Sequence, residues 1–259
     1  MLKILHLIFG IYHPRRILKS IRAIPWYRRT RREFLQQAKS LNIPFSLSWN
    51  YPCLEDRDEE GGVISGHYFH QDLLVAQAIF EKKPQKHVDI GSRIDGFVAH
   101  VASFREIEVM DVRQLSNTIP NVKFVQADCM ASITNDYRNY TDSISSLHVI
   151  EHFGLGRYGD PVDAEGHLKG LNNIYNMLQP GGTFYFSVPI GPQRVEFNAH
   201  RVFSLRYLLD YFDSKYHLES FSYVNDVGRL HRKIYLTAED ISNNYNCKYG
   251  CGIFILKKN

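Results

Sequence analysis

Short apolar runs alternate with amphipathic ones from residue 86 onward. Lys86 to Ile90 reads K-H-V-D-I, an apolar-rich run closed by Gly91, which is the pattern of a buried strand. Phe97 to Phe104 carries helical spacing. Ile107 to Met110 reads as a second strand ending at Asp111, Val122 to Val125 as a third ending near Asp128, and Ile144 to Ile150 as a fourth. His167 to Leu178 repeats its apolar positions with a helical period and stops at Q-P-G-G, Gln179 to Gly182. Thr183 to Val188 is a fifth strand halted by Pro189, and Leu205 to Phe212 a further helix. Two late β-rich segments, His217 to Tyr223 and Gly252 to Leu256, are placed to complete a sheet. Strands separated by helical segments need right-handed crossovers, so the predicted fold is α/β, doubly wound around a mostly parallel sheet. There are no internal repeats and no low-complexity stretch.

The N-terminal segment follows a different pattern. Ile17, Leu18, Ile21 and Ile24 share one helical face and Arg15, Lys19 and Arg22 another. After Pro25 the pattern resumes with Phe34, Leu35, Ala38 and Leu41. Two short amphipathic helices are therefore predicted, in an extension over 1–50 that precedes the α/β domain at 51–259. Charge separates the two parts. Residues 1–40 carry ten basic side chains against Glu33, a net +9, while the remaining 21 basic and 26 acidic residues leave −5. A basic amphipathic segment with Trp26 and Tyr27 at its middle reads as a helix for an anionic membrane surface. The alternatives are docking of the apolar faces on the main domain and, least favoured, nucleic-acid binding; the acidic remainder carries no nucleic-acid motif, and no nucleic-acid partner is expected.

Composition narrows the class further. The 259 residues suffice for one α/β domain plus an extension, and 44% hydrophobic with 22% charged residues excludes global disorder. The four cysteines, Cys53, Cys129, Cys247 and Cys251, are too few and scattered for a disulfide framework, which points to a reducing, cytoplasmic setting. The apolar run Ile4 to Tyr12 falls well short of the roughly 20 residues of a membrane span. No small-residue cleavage site follows it, so neither an anchor nor a leader is expected.

In open sheets of this kind ligands bind outside the carboxyl ends of the strands. The first four tips carry Gly91, Asp111, Asp128 and the cluster His148, Glu151, His152. The turn V-D-I-G-S-R-I-D-G, Val88 to Gly96, resembles the nucleotide-binding turn of class I S-adenosylmethionine (SAM)-dependent methyltransferases. It puts Asp89, Gly91, Ser92 and Gly96 where a tight turn and a helix N-terminus face a ligand. Asp111 lies 20 residues beyond Gly91, where an acid can accept both ribose hydroxyls. Asp128 matches the position at which such enzymes contact the adenine amino group. Taken singly, each aspartate reads equally as a cap or turn former. The order of the three tips is what points to an adenosyl-type ligand, SAM.

The fourth tip, S-S-L-H-V-I-E-H-F (Ser145 to Phe153), and L-Q-P-G-G-T-F-Y-F-S-V-P (Leu178 to Pro189) resemble the hydrophobic–Glu–His and L-x-P-G-G signatures of many small-molecule methyltransferases. The span from about Gly66 to Phe212 resembles the bacterial family called domain of unknown function 268. It does so through G-H-Y-F-H-Q-D-L (Gly66 to Leu73), D-I-G-S-R-I-D-G-F, H-V-I-E-H-F-G-L-G-R-Y-G-D-P (His148 to Pro161) and N-A-H-R-V-F-S (Asn198 to Ser204). The resemblance implies a Rossmann-like methyltransferase sheet and O-methylation of a sugar or glycan precursor, small or lipid-linked, in surface polysaccharide biosynthesis, at the inner face of a membrane. The alternative is a non-catalytic or SAM-independent protein of the same fold, acting as a binding partner in glycan assembly. Two departures bear on this choice, Arg93 and Asp95, which stand where the usual turn has glycines.

Within that reading His152 is the first candidate for the base that removes an acceptor hydroxyl proton, with His148 second and Glu151 orienting the base or the cofactor. A loop-bracing histidine is the competing reading. Asn198, His200 and Arg201 follow the fifth strand, where acceptor contacts are built; for Arg201 a structural ion pair competes. His67, Tyr68 and His70 lead into the helix before the first strand, as a lid, a cofactor wall or core. His148, Glu151 and His152 also spell the H-x-x-E-H zinc pattern. That chemistry needs both histidines one turn apart on a helix, and here they follow a strand, so no metal is expected.

Overall fold

The computed structural model describes residues 14–259 apart from 42–43, 46–50, 55, 59–60, 63 and 133; the apolar run Ile4 to Tyr12 lies outside them. The chain forms two compact units, 1–63 and 64–259.

In the first unit the described residues Pro14–Ser40 form one helix, α1, where two were predicted, and it continues through Pro25. An internal proline removes one backbone bond and costs about 3 kcal/mol. The Leu, Arg, Lys and Gln residues on both sides are strong helix formers, and the helix continues through it. Thr30 Oγ1 donates to the carbonyls of Trp26 and Tyr27 at 3.1 and 3.2 Å. None of the described side chains of this unit is buried. Ile17, Leu18, Ile21 and Phe34 are 46–57% exposed.

The second unit begins with α2 (His67–Lys82) and is built on one eight-stranded sheet. Its strands are β1 (His87–Ile90), β2 (Ile107–Asp111), β3 (Val122–Gln126), β4 (Thr141–Leu147), β5 (Leu178–Ile190), β8 (Tyr216–Val224), β9 (Leu230–His231) and β10 (Gly250–Lys258). A separate hairpin, β6 (Arg194–Glu196) and β7 (His200–Val202), follows β5. The sheet order is β3-β2-β1-β4-β5-β10-β8-β9. The first five are parallel neighbours, and β10 runs antiparallel to both β5 and β8. Strand order reverses between β1 and β4, the switch point at which such sheets open a crevice.

The helices cover both faces. α2 and the short α3 (Ala99–Ala102) bury Val75, Ile79 and Val101 on one face. α4 (Gly166–Met177) and α5 (Leu205–Phe212) bury Leu171, Ile174, Leu208 and Phe212 on the other. β1 is buried at all four positions, as a strand covered on both faces must be. The predicted helix at Phe97 to Phe104 divides into a π turn at Ile94–Val98 and α3. The break lies at Gly96, with φ −125° and ψ −106°, where a Cβ would sit 2.5 Å from Asp72 Oδ2, so only glycine fits. The β6–β7 hairpin, β9 and the last helix, α6 (Ala238–Asn243), are too short to leave a periodic signal.

A polar chain crosses the sheet. Fully buried His87 lies 2.7 Å from Ser143 Oγ through Nδ1 and 3.1 Å from Ser145 Oγ through Nε2; Ser145 donates to Asp89 at 2.5 Å. Burial lowers the His87 pKa to about 3, against an ordinary value near 6.5. The unfolded chain therefore binds a proton here that the native one refuses. Stability is lost as pH falls below about 6.5, by about 2 kcal/mol at pH 5. Asp89, raised to about 6, contributes the opposite slope, so the expected result is a difference: His87→Gln should lose about 2 kcal/mol less than the parent between pH 7 and pH 5 in urea unfolding. Parallel curves for the two chains would refute a neutral His87.

Candidate active site

The tips of β1 to β4 converge on a cavity of about 170 Å³, lined by Tyr68, Gly91, Arg93, Asp111, Asp128, His148 and His152 among the residues singled out from sequence. Between the two acids its walls are apolar, from Ile90, Met110, Val112, Met130 and Val149. Gly91 has φ +68° and donates its N–H to the Met110 carbonyl at 2.8 Å; a Cβ there would meet Val149 Cγ1 at 2.8 Å. Only glycine fits, by conformation and by space.

Asp89 and Ser92 brace this turn from behind. Asp89 is wholly buried and accepts from Ser92 N at 2.9 Å and Ser92 Oγ at 2.7 Å, besides Ser145. Burial pushes its carboxyl up to about 6 against the pull of those bonds, leaving it ionised at neutral pH. Neither residue nor Gly96 lines the cavity. Arg93 turns to Asp95, donating through Nε at 3.0 Å and Nη2 at 2.7 Å, with its guanidinium 5.0 Å from the centre of the Tyr68 ring. The two departures from the glycine pattern thus neutralise each other at the cavity mouth.

Asp111 is held just as firmly. Arg113 donates its backbone N–H and Nε to Oδ1 at 2.8 and 3.0 Å and its Nη2 to Oδ2 at 2.7 Å. The same guanidinium lies 4.6 Å from the Tyr158 ring centre. Asp128 accepts from Met130 N at 2.8 Å, a turn-forming bond that engages one carboxylate oxygen. Arg113 and Tyr158, which also line the cavity, are both exposed.

The fourth tip separates the two histidines. His148 takes φ +57° and donates Nδ1–H to Glu151 Oε1 at 2.7 Å, with side chains only 4% and 1% exposed. Burial alone would keep the ring neutral, but the facing carboxylate outweighs it and raises the His148 pKa well above its ordinary value; Glu151 is lowered in return. Glu151 Oε2 is buried with no hydrogen-bond partner. His152, on the 3-10 turn Ile150–His152, donates Nδ1–H to the Ala199 carbonyl at 2.6 Å. Burial lowers its pKa, so Nε2 presents a lone pair at neutral pH.

The residues after β5 form the β6–β7 hairpin. Asn198 is exposed near its tip, and half-buried His200 packs against Tyr249 with ring centres 4.9 Å apart. Arg201 is buried and donates to the carbonyls of Phe153, Glu151 and Ala164, clamping the loop after β4. None of the three lines the cavity. Arg113, Tyr158 and Asp160, which do, were not named as site residues from sequence, although the last two lie in the quoted segment His148 to Pro161. Asp160 gathers the N–H groups of Gly154, Gly156 and Tyr158 at 3.0–3.3 Å, a G-x-G-x-x-G-D loop whose signal was present in the sequence.

Many solved structures share the fold, two of them as follows. The 1,6-didemethyltoxoflavin-N1-methyltransferase of Burkholderia thailandensis, solved with its substrate and S-adenosylhomocysteine, is 14% identical with a TM-score of 0.50, covering 73% of this chain and 78% of that one. The [4+2]-cyclase SpnF is 13% identical with a TM-score of 0.50, covering 76% of this chain and 85% of its own. Among curated proteins no sequence match is found. The family described as "Caenorhabditis protein of unknown function, DUF268" matches residues 97–259, as the resemblance implied. The chain belongs to that family, and its sheet has the Rossmann-like fold of class I SAM-dependent methyltransferases.

Proposed function

We propose that the protein is a SAM-dependent methyltransferase acting on a hydroxyl group, with a sugar or glycan precursor as acceptor. The observation that carries the cofactor is the convergence of Gly91, Asp111 and Asp128 on one apolar-walled cavity at the switch point. Asp111 would take the ribose hydroxyls, Asp128 the adenine amino group, and the Gly91 turn the amino-acid end. SAM supplies an electrophilic methyl group when bound. The chain positions the acceptor, keeps water from the cavity, and receives the hydroxyl proton on His152 Nε2. His148 is less suited to that role, because its pairing with Glu151 favours the protonated ring. The glycan acceptor rests on the family resemblance.

The binding-module reading draws its support from Arg113, whose three bonds leave Asp111 little room to accept a ribose. Calorimetric titration with S-adenosylhomocysteine decides between them. The parent binds it, Asp111→Ala weakens binding by about 1.5–3 kcal/mol, and Arg113→Ala tightens it by freeing the carboxylate. Unchanged affinity in a folded Asp111→Ala protein would remove that residue from the site. A parent that binds neither SAM nor S-adenosylhomocysteine would leave the binding-module reading standing.

A further inference from the structure

Beside the cavity three side chains from distant parts of the chain meet. His67 is the first residue of α2, His148 stands just past β4, and Cys251 lies in β10. His67 Nδ1 is 3.1 Å from His148 Nε2, and these atoms and Cys251 Sγ all lie within 4.8 Å of one another. Cys251 is fully buried; its sulfur faces His148 and makes long contacts to Gln71 Oε1 at 3.6 Å and the Gly252 carbonyl at 3.8 Å. We propose that His67, His148 and Cys251 form a binding site for a borderline-soft divalent metal ion, zinc in the first place.

Four observations converge on it. Two imidazoles and a thiolate are the donor set that zinc takes. Tetrahedral zinc, with bonds of about 2.0–2.3 Å, sets its ligand atoms about 3.4–3.6 Å apart; the nitrogens already stand near that spacing, and the sulfur lies within 4.8 Å of both. The remaining nitrogen of His148 donates to Glu151 at 2.7 Å, the carboxylate–histidine arrangement that orients a metal-bound ring. That leaves Nε2 as the ligand atom, aimed at the cluster. Charge also balances: one thiolate and the Glu151 carboxylate, whose Oε2 is buried without a partner, match a divalent ion. The site is distinct from the H-x-x-E-H spacing, because His152 Nδ1 is committed to the Ala199 carbonyl and His152 is not part of the cluster. Three protein ligands leave a coordination position for water, and His148 lines the cavity, so the ion would stand in its wall. The site does not depend on the methyl-transfer reading.

The test is titration of the chelator-stripped full-length chain with cobalt(II), then zinc. The expected result is stoichiometric cobalt binding with a thiolate-to-cobalt absorption band that zinc displaces. Cys251→Ser should abolish the band, while Cys247→Ser, four residues earlier in sequence, leaves it intact. His67→Ala, at a half-buried position, should weaken zinc binding with the far-ultraviolet circular dichroism unchanged, and Glu151→Gln should weaken it by about 10- to 100-fold. Absence of a band in the folded parent, or a band that survives in Cys251→Ser, would overturn the site. S-adenosylhomocysteine binding measured on the same stripped chain reports the cofactor reading separately, so either can fail alone.

Discussion

Replacing His152 with alanine should lower turnover by about 10²- to 10⁴-fold and leave affinity for S-adenosylhomocysteine nearly unchanged. The expectation follows from three features of the ring. It lines the cavity, its Nδ1–H is fixed on the Ala199 carbonyl, and burial holds its pKa below the ordinary value. A base works only when deprotonated, so the parent's rate should rise with pH through a pKa below about 6.5 and level off above it. His148→Ala is a poor control, since it strands a buried Glu151 charge and costs stability whatever its role. His200→Ala is the better comparison. Loss of activity there, with His152→Ala fully active, would move the base to the β6–β7 hairpin.

The helix α1 carries the second large effect. We expect the full-length protein to sediment with vesicles containing anionic lipid, to be released as salt rises, and to fail to sediment once residues 1–40 are removed. Each basic residue near such a surface contributes about 1 kcal/mol, so the +9 segment suffices for reversible attachment. Screening sets in over about 10 Å at 0.1 M salt, which makes the interaction salt-sensitive. The half-exposed Ile17, Leu18, Ile21 and Phe34 supply the apolar part. No helix among the described residues is long and apolar enough to cross a membrane. Charge reversal at Arg28, Arg29 and Arg32 in the full chain should reproduce the loss. Vesicle binding that ignores lipid charge, or that survives both changes, would end the proposal.

The strands and the order of their tips were legible in the sequence because a parallel sheet buried on both faces needs unbroken apolar runs, and Gly91, Asp111 and Asp128 punctuate them. α5 matches its predicted bounds for a similar reason: its apolar face is strongly periodic and Ser204 caps it, accepting from Tyr207 N. The side chains that modify the tips were less visible. Arg113 lies two residues past Asp111, and nothing in its spacing says that it folds back on that carboxylate. Arg201 looked like a substrate contact by position but is satisfied by three backbone carbonyls. The metal-type cluster takes one residue each from α2, the β4 tip and β10. Attention to Cys247 with Cys251, or to His148 with His152, pairs sequence neighbours that the fold assigns to different surroundings.

The insertion of β10 between β5 and β8 has a consequence for biogenesis. β8 and its hairpin partner β9 are made before β10, yet neither reaches the rest of the sheet except through it. While Gly250–Lys258 is still to be synthesised, β5 ends the sheet with an unpaired, deeply apolar edge, and β8 offers a second one. Two such edges in a nascent chain invite pairing with other chains and engagement by chaperones. Closure of the sheet is then one late, non-local step.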